Sequence, residues 1–333
     1  MSIDLIKQKL GVLMDDSLGK TLLETGGIKH LGINEDDNIV VIVIAVGKKD
    51  ADLEKKMRRE IAKIVKLDLN YSGLKLEIEE FKKIDSIVKG NTKFVIIASG
   101  KGGVGKSTVT ANIAYALSKK GKKVGIIDAD IYGSSIPTLL DYNVKDAKIE
   151  VNDNKKIIPF MKNNIEFIST EFFAEIGAPI LWRGAMVSSM INSLFYDVAW
   201  NKELDYMIID MPPGTGDATL DLKNIIPKSD VIIVTTPHIS ASHVAIKAGY
   251  AAQELKHIVF GVIENMSYFL NKSSGEKEYI FGKGKGEELA KKLNVTLLAE
   301  IPINLPAKNT GLYEDNELIG QIYNNIADKI INK

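Results

Sequence analysis

A glycine-rich stretch at residues 99–108 constrains the fold of this chain more than any other feature. It reads Ser-Gly-Lys-Gly-Gly-Val-Gly-Lys-Ser-Thr and follows an apolar run, residues 94–98, that is typical of a buried strand. Residues 109–117 then repeat apolar side chains at helical spacing. A strand, a glycine loop and a helix in this order predict a phosphate-binding loop of the G-x-x-x-x-G-K-[ST] type rather than an ordinary turn.

Each residue type in the loop suits a nucleotide phosphate. The glycines let successive backbone N–H groups turn inward, and the helix start adds free N–H groups and a positive dipole end. Lys106 would reach the β- and γ-phosphates, and the Ser107 hydroxyl would bind Mg²⁺. The predicted ATP-binding residues of the loop are Gly100, Lys101, Gly102, Gly103, Val104, Gly105, Lys106, Ser107 and Thr108.

A second lysine makes this loop unusual. Lys101 directly follows the first glycine, although Lys106 already supplies the phosphate-binding cation. A cation so close must contact either the same phosphates or those of a neighbouring chain. The pattern resembles the deviant Walker A loop of the MinD/ParA/ArsA/Mrp class of P-loop ATPases. That resemblance implies a homodimer in which Lys101 contacts nucleotide across the interface, while Lys106 acts in catalysis within its own subunit.

Composition narrows the partners and the chemistry. Lys plus Arg and Asp plus Glu both number 43 in 333 residues, so no net field favours nucleic acid or an anionic membrane. No apolar run approaches the roughly 18 residues of a membrane span, and the N-terminus lacks a signal-peptide layout. We therefore expect a cytoplasmic protein with neither nucleic acid nor membrane as partner. Cysteine is absent, which excludes disulfides, thiolate catalysis and thiolate-held metal.

The first 82 residues predict a small α+β domain, followed by a linker at 83–93 and an ATPase domain at 94–333. The pattern indicates a helix at 3–14, strands at 28–33 and 39–46, a helix at 51–66 and a strand at 74–78. Residues 15–28 and the strands after them resemble the small metal–sulfur cluster assembly domain. The loop at 47–50 lacks that family's cysteine, so a docking role stays open for this domain.

Carboxylates end the next two predicted strands of the ATPase domain. Residues 124–128 lead into Asp128-Ala-Asp130, at the strand end where α/β sheets bind ligands. Asp130 matches the switch I aspartate of the class and is predicted to orient the attacking water, with Asp128 nearer the metal. The alternative is that one of the two only caps the following segment.

The strand at 204–210 ends in Asp210 and continues Met-Pro-Pro-Gly-Thr-Gly-Asp. Asp210 is the predicted Walker B group, which would hold a water of Mg²⁺, so the expected metal residues are Ser107, Asp128 and Asp210. The two prolines fix the backbone, and Gly214 would present its N–H to the γ-phosphate. The role of Asp217 is left open.

The remainder predicts an α/β fold, a parallel sheet covered by helices on both faces and preceded by the small α+β domain. Three further apolar strands, at 231–237, 258–265 and 297–302, alternate with helices at 240–255 and 286–293. Residues 179–200 form a methionine-rich helix whose stripe is core or, failing that, dimer interface. The isoleucine face of the C-terminal helix is expected to pack rather than to bind a membrane.

Several strings together resemble the Mrp/ApbC family of homodimeric ATPases, regarded as iron–sulfur cluster carriers or scaffolds. They lie at 100–108, 128–137, 182–184, 204–217 and 264–269. The resemblance implies ATP and Mg²⁺ as cofactors, with Asn265 at the adenine edge and Pro302 beside the base. It also implies iron–sulfur assembly proteins or apo-acceptor proteins as partners.

One departure from the family concerns the cluster itself. The family has C-x-x-C after Met-Ser-Tyr-Phe, whereas here Asn271 and Ser274 stand at those positions, and they are poor ligands for iron–sulfur centres. We therefore expect a slow, dimer-dependent ATPase with no transferred cluster site. A MinD/ParA-like positioning ATPase and a non-enzymatic nucleotide-gated scaffold are the alternatives.

Overall fold

The computed structural model describes residues 3–34, 37–80, 91–131, 133–173, 185–214, 226, 229–271, 273–308 and 310–333, with only the backbone at 146 and 185–189. The chain divides into two compact units, Met1–Lys83 and Ile84–Lys333. Most of the predicted linker lies outside the described residues, as do the string at 182–184 and Asp217. No helix within the described ranges is long and apolar enough to cross a membrane.

The first unit packs helices against a three-stranded sheet. Its elements are α1 (Ile3–Gly11), β1 (Met14–Asp15), β2 (Lys20–Thr21), α2 (Leu22–Thr25), β3 (Ile28–Asn34), β4 (Ile39–Val46), α3 (Ala51–Lys63), a π-helical turn (Ile64–Asp68) and β5 (Gly73–Glu80). The central β4 pairs antiparallel with β3 and parallel with β5. Val40, Ile42 and Ile44 on β4 are buried at every second position, as a half-buried strand requires.

The second unit is built on an eight-stranded sheet. Its elements are β6 (Lys93–Ser99), α4 (Lys106–Lys119), β7 (Val124–Asp128), α5 (Ile136–Leu139), β8 (Phe160–Lys162), β9 (Ile165–Ser169), α6 (Ala185–Tyr196), β10 (Tyr206–Asp210), β11 (Asp230–Thr235), α7 (Ile239–Glu254), β12 (Ile258–Glu264), β13 (Phe269–Leu270), β14 (Lys277–Glu278), α8 (Lys285–Leu293), β15 (Thr296–Glu300) and α9 (Leu318–Ile331). The strand order is β15-β12-β11-β6-β10-β7-β9-β8, and only β8 runs antiparallel to its neighbour.

Two hydrophobic cores lie on opposite faces of this sheet. Helices α6, α7 and α8 contribute buried side chains to one core, and α4 and α9 to the other. The strands between them are apolar because both of their faces are covered, which confirms the predicted fold class. Ile319, Tyr323, Ile326 and Ile330 are buried, so the C-terminal helix is packed. Ile191, Leu194 and Phe195 are buried too, so that part of the methionine-rich helix is core.

Strand order brings the predicted site residues to one edge of the sheet. β10 lies between β6 and β7, in a register that pairs Asp210 with Ile97 on one side and with Asp128 on the other. Since all three strands run parallel, the phosphate loop after β6 and both aspartates meet at their carboxyl ends. This is the edge at which open α/β sheets bind ligands.

Candidate functional site

The glycine loop forms one wall of a cavity of about 350 Å³. Gly103 and Gly105 have φ of 78° and 81°, which side-chain-bearing residues rarely adopt. A Cβ on Gly105 would also lie 2.2 Å from Asn265 Nδ2. The residues lining the cavity are Ser99, Lys101, Gly102, Gly103, Gly105, Lys106, Ser107, Thr108, Asp130, Gly133, Ser135 and Pro213. The structure therefore brings Asp130 together with most of the predicted loop residues.

A buried charge cluster lies at the base of the cavity. Lys106 Nζ is 2.9 Å from Asp210 Oδ1 and 3.3 Å from Asp130 Oδ2. Ser107 Oγ donates to Asp210 Oδ2 at 2.6 Å, and Thr110 Oγ1 donates to Asp210 Oδ1 at 2.7 Å. Burial raises the pKa of Asp210, whereas Lys106 and the two hydroxyls act in the opposite direction. One lysine thus bridges two carboxylates that would otherwise repel each other.

The oxygen atoms of this cluster suit Mg²⁺. Ser107 offers a hydroxyl and Asp210 a carboxylate, which are the hard ligands that this ion prefers. Asp130 Oδ1 is buried and has no hydrogen-bond partner, so it is an acceptor available at the cavity wall. In the described part of the chain, no group of three or more His, Asp or Glu side chains could hold a metal alone. A magnesium ion here would therefore rely on phosphate oxygens and water for its other ligands.

Asp128 is placed differently from the sequence-based prediction. Neither Asp128 nor Asp210 lines the cavity, but Asp210 contacts Lys106 and Ser107, which do. The side-chain donor to Asp128 is instead Ser169, which lies outside the lining. Asp128 Oδ2 accepts from Ser169 Oγ at 2.9 Å and from the Ile136 N–H at 3.4 Å, while Oδ1 accepts from the Asp130 N–H at 3.3 Å. Burial, followed by the nearby charge of Asp210, raises the pKa of Asp128 to about 7. These contacts favour the capping alternative over a place beside the metal.

The N–H of Gly214, which the sequence predicts to face a γ-phosphate, has a partner within the protein. It donates to the Ser99 carbonyl at 2.8 Å and is therefore not presented to the cavity. This bond joins the segment after β10 to the end of β6, and a contact with a γ-phosphate would require it to break.

Two further residues predicted to contact nucleotide, Asn265 and Pro302, lie outside the cavity lining. The Asn265 side chain donates to the Val104 carbonyl at 2.9 Å and so supports the glycine loop. Pro302 is buried after β15. Neither residue lines the cavity, and nor do Gly100 and Val104. Their contacts with the adenine base or with phosphate stay predictions.

Lys101 lies at the mouth of the cavity with an exposed side chain. Its Nζ is 3.3 Å from Ser240 Oγ at the start of α7. His238 caps the same helix, since its Nδ1 accepts from the Ser240 N–H at 3.2 Å. The second lysine therefore extends along the surface and leaves Lys106 as the cation inside the buried cluster.

Sequence reasoning missed a group of hydroxyls that hold the aspartates: Thr110, Ser134, Ser169 and Thr170. Thr110 follows Lys106 by one helical turn, so its contact with Asp210 could have been found from spacing. Ser169 ends β9 and pairs in register with Asp128. A serine at the end of an apolar strand indicated a polar role for Ser169. Its contact with Asp128 could be identified only once the order of the strands was known.

The loop that would carry the family's cysteines is a short hairpin of β13 and β14. Asn271 Oδ1 accepts from the Ser273 and Ser274 N–H groups at 2.9 and 3.3 Å, and Asn271 Nδ2 donates to Glu278 Oε1 at 2.7 Å. Ser274 Oγ accepts from the Glu276 N–H at 3.2 Å. Both side chains thus stabilise the turn itself.

A parallel sheet with this strand order, a two-lysine phosphate loop and an aspartate at the end of β10 define a deviant Walker A P-loop NTPase. Comparison with known proteins makes the assignment narrower. A family model described as ParA, NUBPL iron-transfer P-loop NTPase, matches residues 90–331. The chain belongs to this family, which confirms the predicted resemblance.

Curated relatives agree with that assignment. The chain is 37% identical over 345 residues to the iron-sulfur cluster carrier protein of Bacillus subtilis, covering 98% of this chain and 97% of the relative. It is 39% identical over 240 residues to the protein of that name from Pseudomonas fragi, covering 70% of this chain and 83% of the relative.

Two solved structures show the same fold. A nucleotide-binding protein from Archaeoglobus fulgidus, in complex with ADP, has a TM-score of 0.57 and 35% identity over 74% of this chain and 91% of its own. The cell division ATPase MinD of Pyrococcus furiosus has a TM-score of 0.51 and 23% identity over 72% of this chain and 98% of its own. At that identity, the second similarity concerns the fold alone.

Proposed function

We propose that the chain binds Mg·ATP in the cavity beside the glycine loop and hydrolyses it as a homodimer. The observation that carries this proposal is the buried cluster in which Lys106 contacts Asp210 and Asp130. The ADP complex of the Archaeoglobus fulgidus relative supports a nucleotide at this site. When a nucleotide is bound, Mg²⁺ would spread the negative charge of its phosphate oxygens.

The residues of the chain divide the work by their positions. Backbone N–H groups of residues 102–107 surround the phosphates, and Lys106 leaves its carboxylate partners to contact the transferred phosphoryl group. Ser107 and Asp210 hold the metal and its water. Asp130 Oδ1 has no protein partner and is free to accept a hydrogen bond from the attacking water.

The position of Lys101 supports the proposed dimerisation. Its exposed amine lies beside the cavity and contacts Ser240 Oγ at 3.3 Å. We infer that in the dimer it turns to the phosphates bound by the second copy. Catalysis of phosphoryl transfer depends mainly on positioning and charge, so an added cation would raise the rate strongly. We therefore infer that turnover is slow in the monomer and is switched on by pairing.

Two substitutions test this function. Asp130→Asn should retain ATP binding and lose hydrolysis. Lys101→Ala should retain ATP binding by the monomer and lose both dimerisation and ATP turnover. Lys48→Ala, a change of an exposed lysine in the first unit, is the matched control. ATP turnover unaffected by Asp130→Asn would refute the catalytic assignment.

For the cargo, we propose a role in iron–sulfur metabolism, as the names of the relatives suggest, without a cysteine-held cluster. Assembly proteins or apo-acceptor proteins are then the expected partners, in the cytoplasm. Anaerobic reconstitution with iron and sulfide should leave no stable cluster absorbance on the purified chain, and one cluster per dimer would overturn this view. The self-bonded turn at Asn271 favours a nucleotide-gated scaffold, similar to MinD or ParA, as the second candidate.

A further inference from the structure

The segment that carries Asp130 is tied to the neighbouring strand by a pair of hydroxyls. Ser134 Oγ lies 2.6 Å from Thr170 Oγ1, just beyond the end of β9. Ser134 Oγ also donates to the Asp130 carbonyl at 2.9 Å. A hydroxyl can donate one hydrogen bond. Because Ser134 donates to the Asp130 carbonyl, the Thr170 hydroxyl must be the donor to Ser134.

The burial of Thr170 strengthens its hydrogen bond to Ser134. Thr170 is 3% exposed and Asp130 is 7% exposed, while Ser134 between them is half-buried, so water competes little at the two ends of this contact. Within the segment itself, the turn is held by short-range bonds from the Ile131 N–H to the Ala129 carbonyl and from the Gly133 N–H to the Asp130 carbonyl. The Asp128 side chain at the end of β7 accepts from the Asp130 N–H, and the Ser134–Thr170 pair adds a second side-chain connection, to the end of β9.

The Asp130 carboxylate depends on its backbone for its direction. Oδ2 contacts Lys106 at 3.3 Å, a bond that the proposed mechanism releases to phosphate, and Oδ1 has no partner. A carboxylate held in this way follows any movement of the main chain beneath it. Misplacing a reacting group by about 1 Å can cost about a hundredfold in rate.

We infer that Thr170, acting through Ser134, is a positioning residue that fixes the Asp130 main chain at the cavity wall. This inference rests on the proposed function for its effect on turnover. Neither hydroxyl lines the cavity, so neither contributes to nucleotide binding directly. Loss of the pair should therefore lower kcat and leave ATP affinity almost unchanged.

The kinetic test uses substitutions that keep the shape of the side chain. Thr170→Val should lower kcat by about tenfold to a hundredfold with the Kd for ATP within about twofold, and Thr170→Ser should restore turnover. Ser134→Ala should lower kcat at least as far as Thr170→Val, because it also removes the bond to the Asp130 carbonyl, and the double variant should be no worse than Ser134→Ala alone. Thr92→Val is the matched control, because Thr92 Oγ1 makes a buried 2.7 Å bond to the Leu204 carbonyl before β6, away from the cavity.

A second readout does not depend on hydrolysis. Amide hydrogen exchange at Ile131 and Gly133 should be at least about tenfold faster in Thr170→Val than in Thr92→Val. If the wild-type chain does not turn over ATP, the proposed function fails, while this exchange still decides whether the hydroxyl pair holds the segment. Exchange and kcat in Thr170→Val equal to those in Thr92→Val would overturn the inference. Faster exchange with unchanged kcat would also overturn it, since the pair would then be structural only.

Discussion

Asn112 on α4 offers the sharpest stability test of the packing around the phosphate loop. Its side chain is 1% exposed and joins the helix to the segment after β15. Nδ2 donates to the Gly311 carbonyl at 2.9 Å, and Oδ1 accepts from the Tyr313 N–H at 3.0 Å. Asn112→Ala would remove both bonds and leave two backbone groups without partners.

The magnitude follows from counting those groups. An unsatisfied buried donor or acceptor costs about 1–3 kcal/mol, so two of them should lower the free energy of unfolding of the second unit by about 2–6 kcal/mol. With an m-value of about 2–3 kcal/mol/M in urea, the unfolding midpoint should fall by about 1–3 M. Asn112 Nδ2 also donates to the Thr108 carbonyl at 2.9 Å. In Asn112→Asp the unfolding midpoint should fall at least as far, because a carboxylate oxygen would then face the carbonyls of Thr108 and Gly311.

Tryptophan fluorescence can follow this unfolding in urea. The chain has two tryptophans, Trp182 and Trp200, and both belong to the second unit, so the signal reports that unit. Asn324→Ala is the matched control, because its amide makes a 2.8 Å bond to Asp315 in an exposed position and should cost no more than about 0.5 kcal/mol. Equal midpoints for Asn112→Ala and Asn324→Ala would refute the argument.

Three further tests address the site itself. The pKa of Asp128 is raised from 3.8 to about 7, so between these values the native state holds a proton that the unfolded chain releases. The urea unfolding midpoint should therefore fall as pH rises from 4 to 7. In Asp128→Asn the midpoint should fall less over the same range. Gly105→Ala should weaken ATP binding in a titration more than Gly103→Ala does, since both positions have positive φ but only the first Cβ would strike a side-chain amide, at 2.2 Å. Asn271→Cys with Ser274→Cys should gain visible cluster absorbance on anaerobic reconstitution, and an unchanged spectrum would mean that the hairpin cannot present two thiolates to iron.

Local patterns predicted the parts of the site that lie close together in sequence. The strand, glycine loop and helix at 93–119 follow from short-range sterics and periodicity, so Lys106 and Ser107 fell at the cavity as expected. Asp210 was found because an aspartate ended an apolar strand, and strand order then placed it beside the loop.

Contacts between distant residues set the limit of that reasoning. The choice between Asp128 and Asp130 depends on Ser169, which lies 41 residues further along the chain and occupies Asp128. The N–H of Gly214 is likewise taken by Ser99, a partner that no spacing rule identifies. Strands of two residues, such as β13 and β14, carry too little periodicity to predict, and their pairing is decided by the turn between them.

That turn also bears on how the chain could keep a nucleotide switch without its cluster. The hairpin does not stand alone, because the Ile303 N–H donates to the Tyr268 carbonyl at 2.7 Å and joins it to the segment just after Pro302. The Ser267 N–H donates to the Ile301 carbonyl at 2.8 Å, one residue before Pro302. If Pro302 lies beside a bound base, as the family resemblance predicts, its movement would reach the hairpin through these backbone bonds, whatever side chains stand at 271 and 274. Thiolates at 271 and 274 would add ligands for iron, but these backbone bonds do not depend on them. The predicted coupling of nucleotide binding to the hairpin therefore requires no cluster.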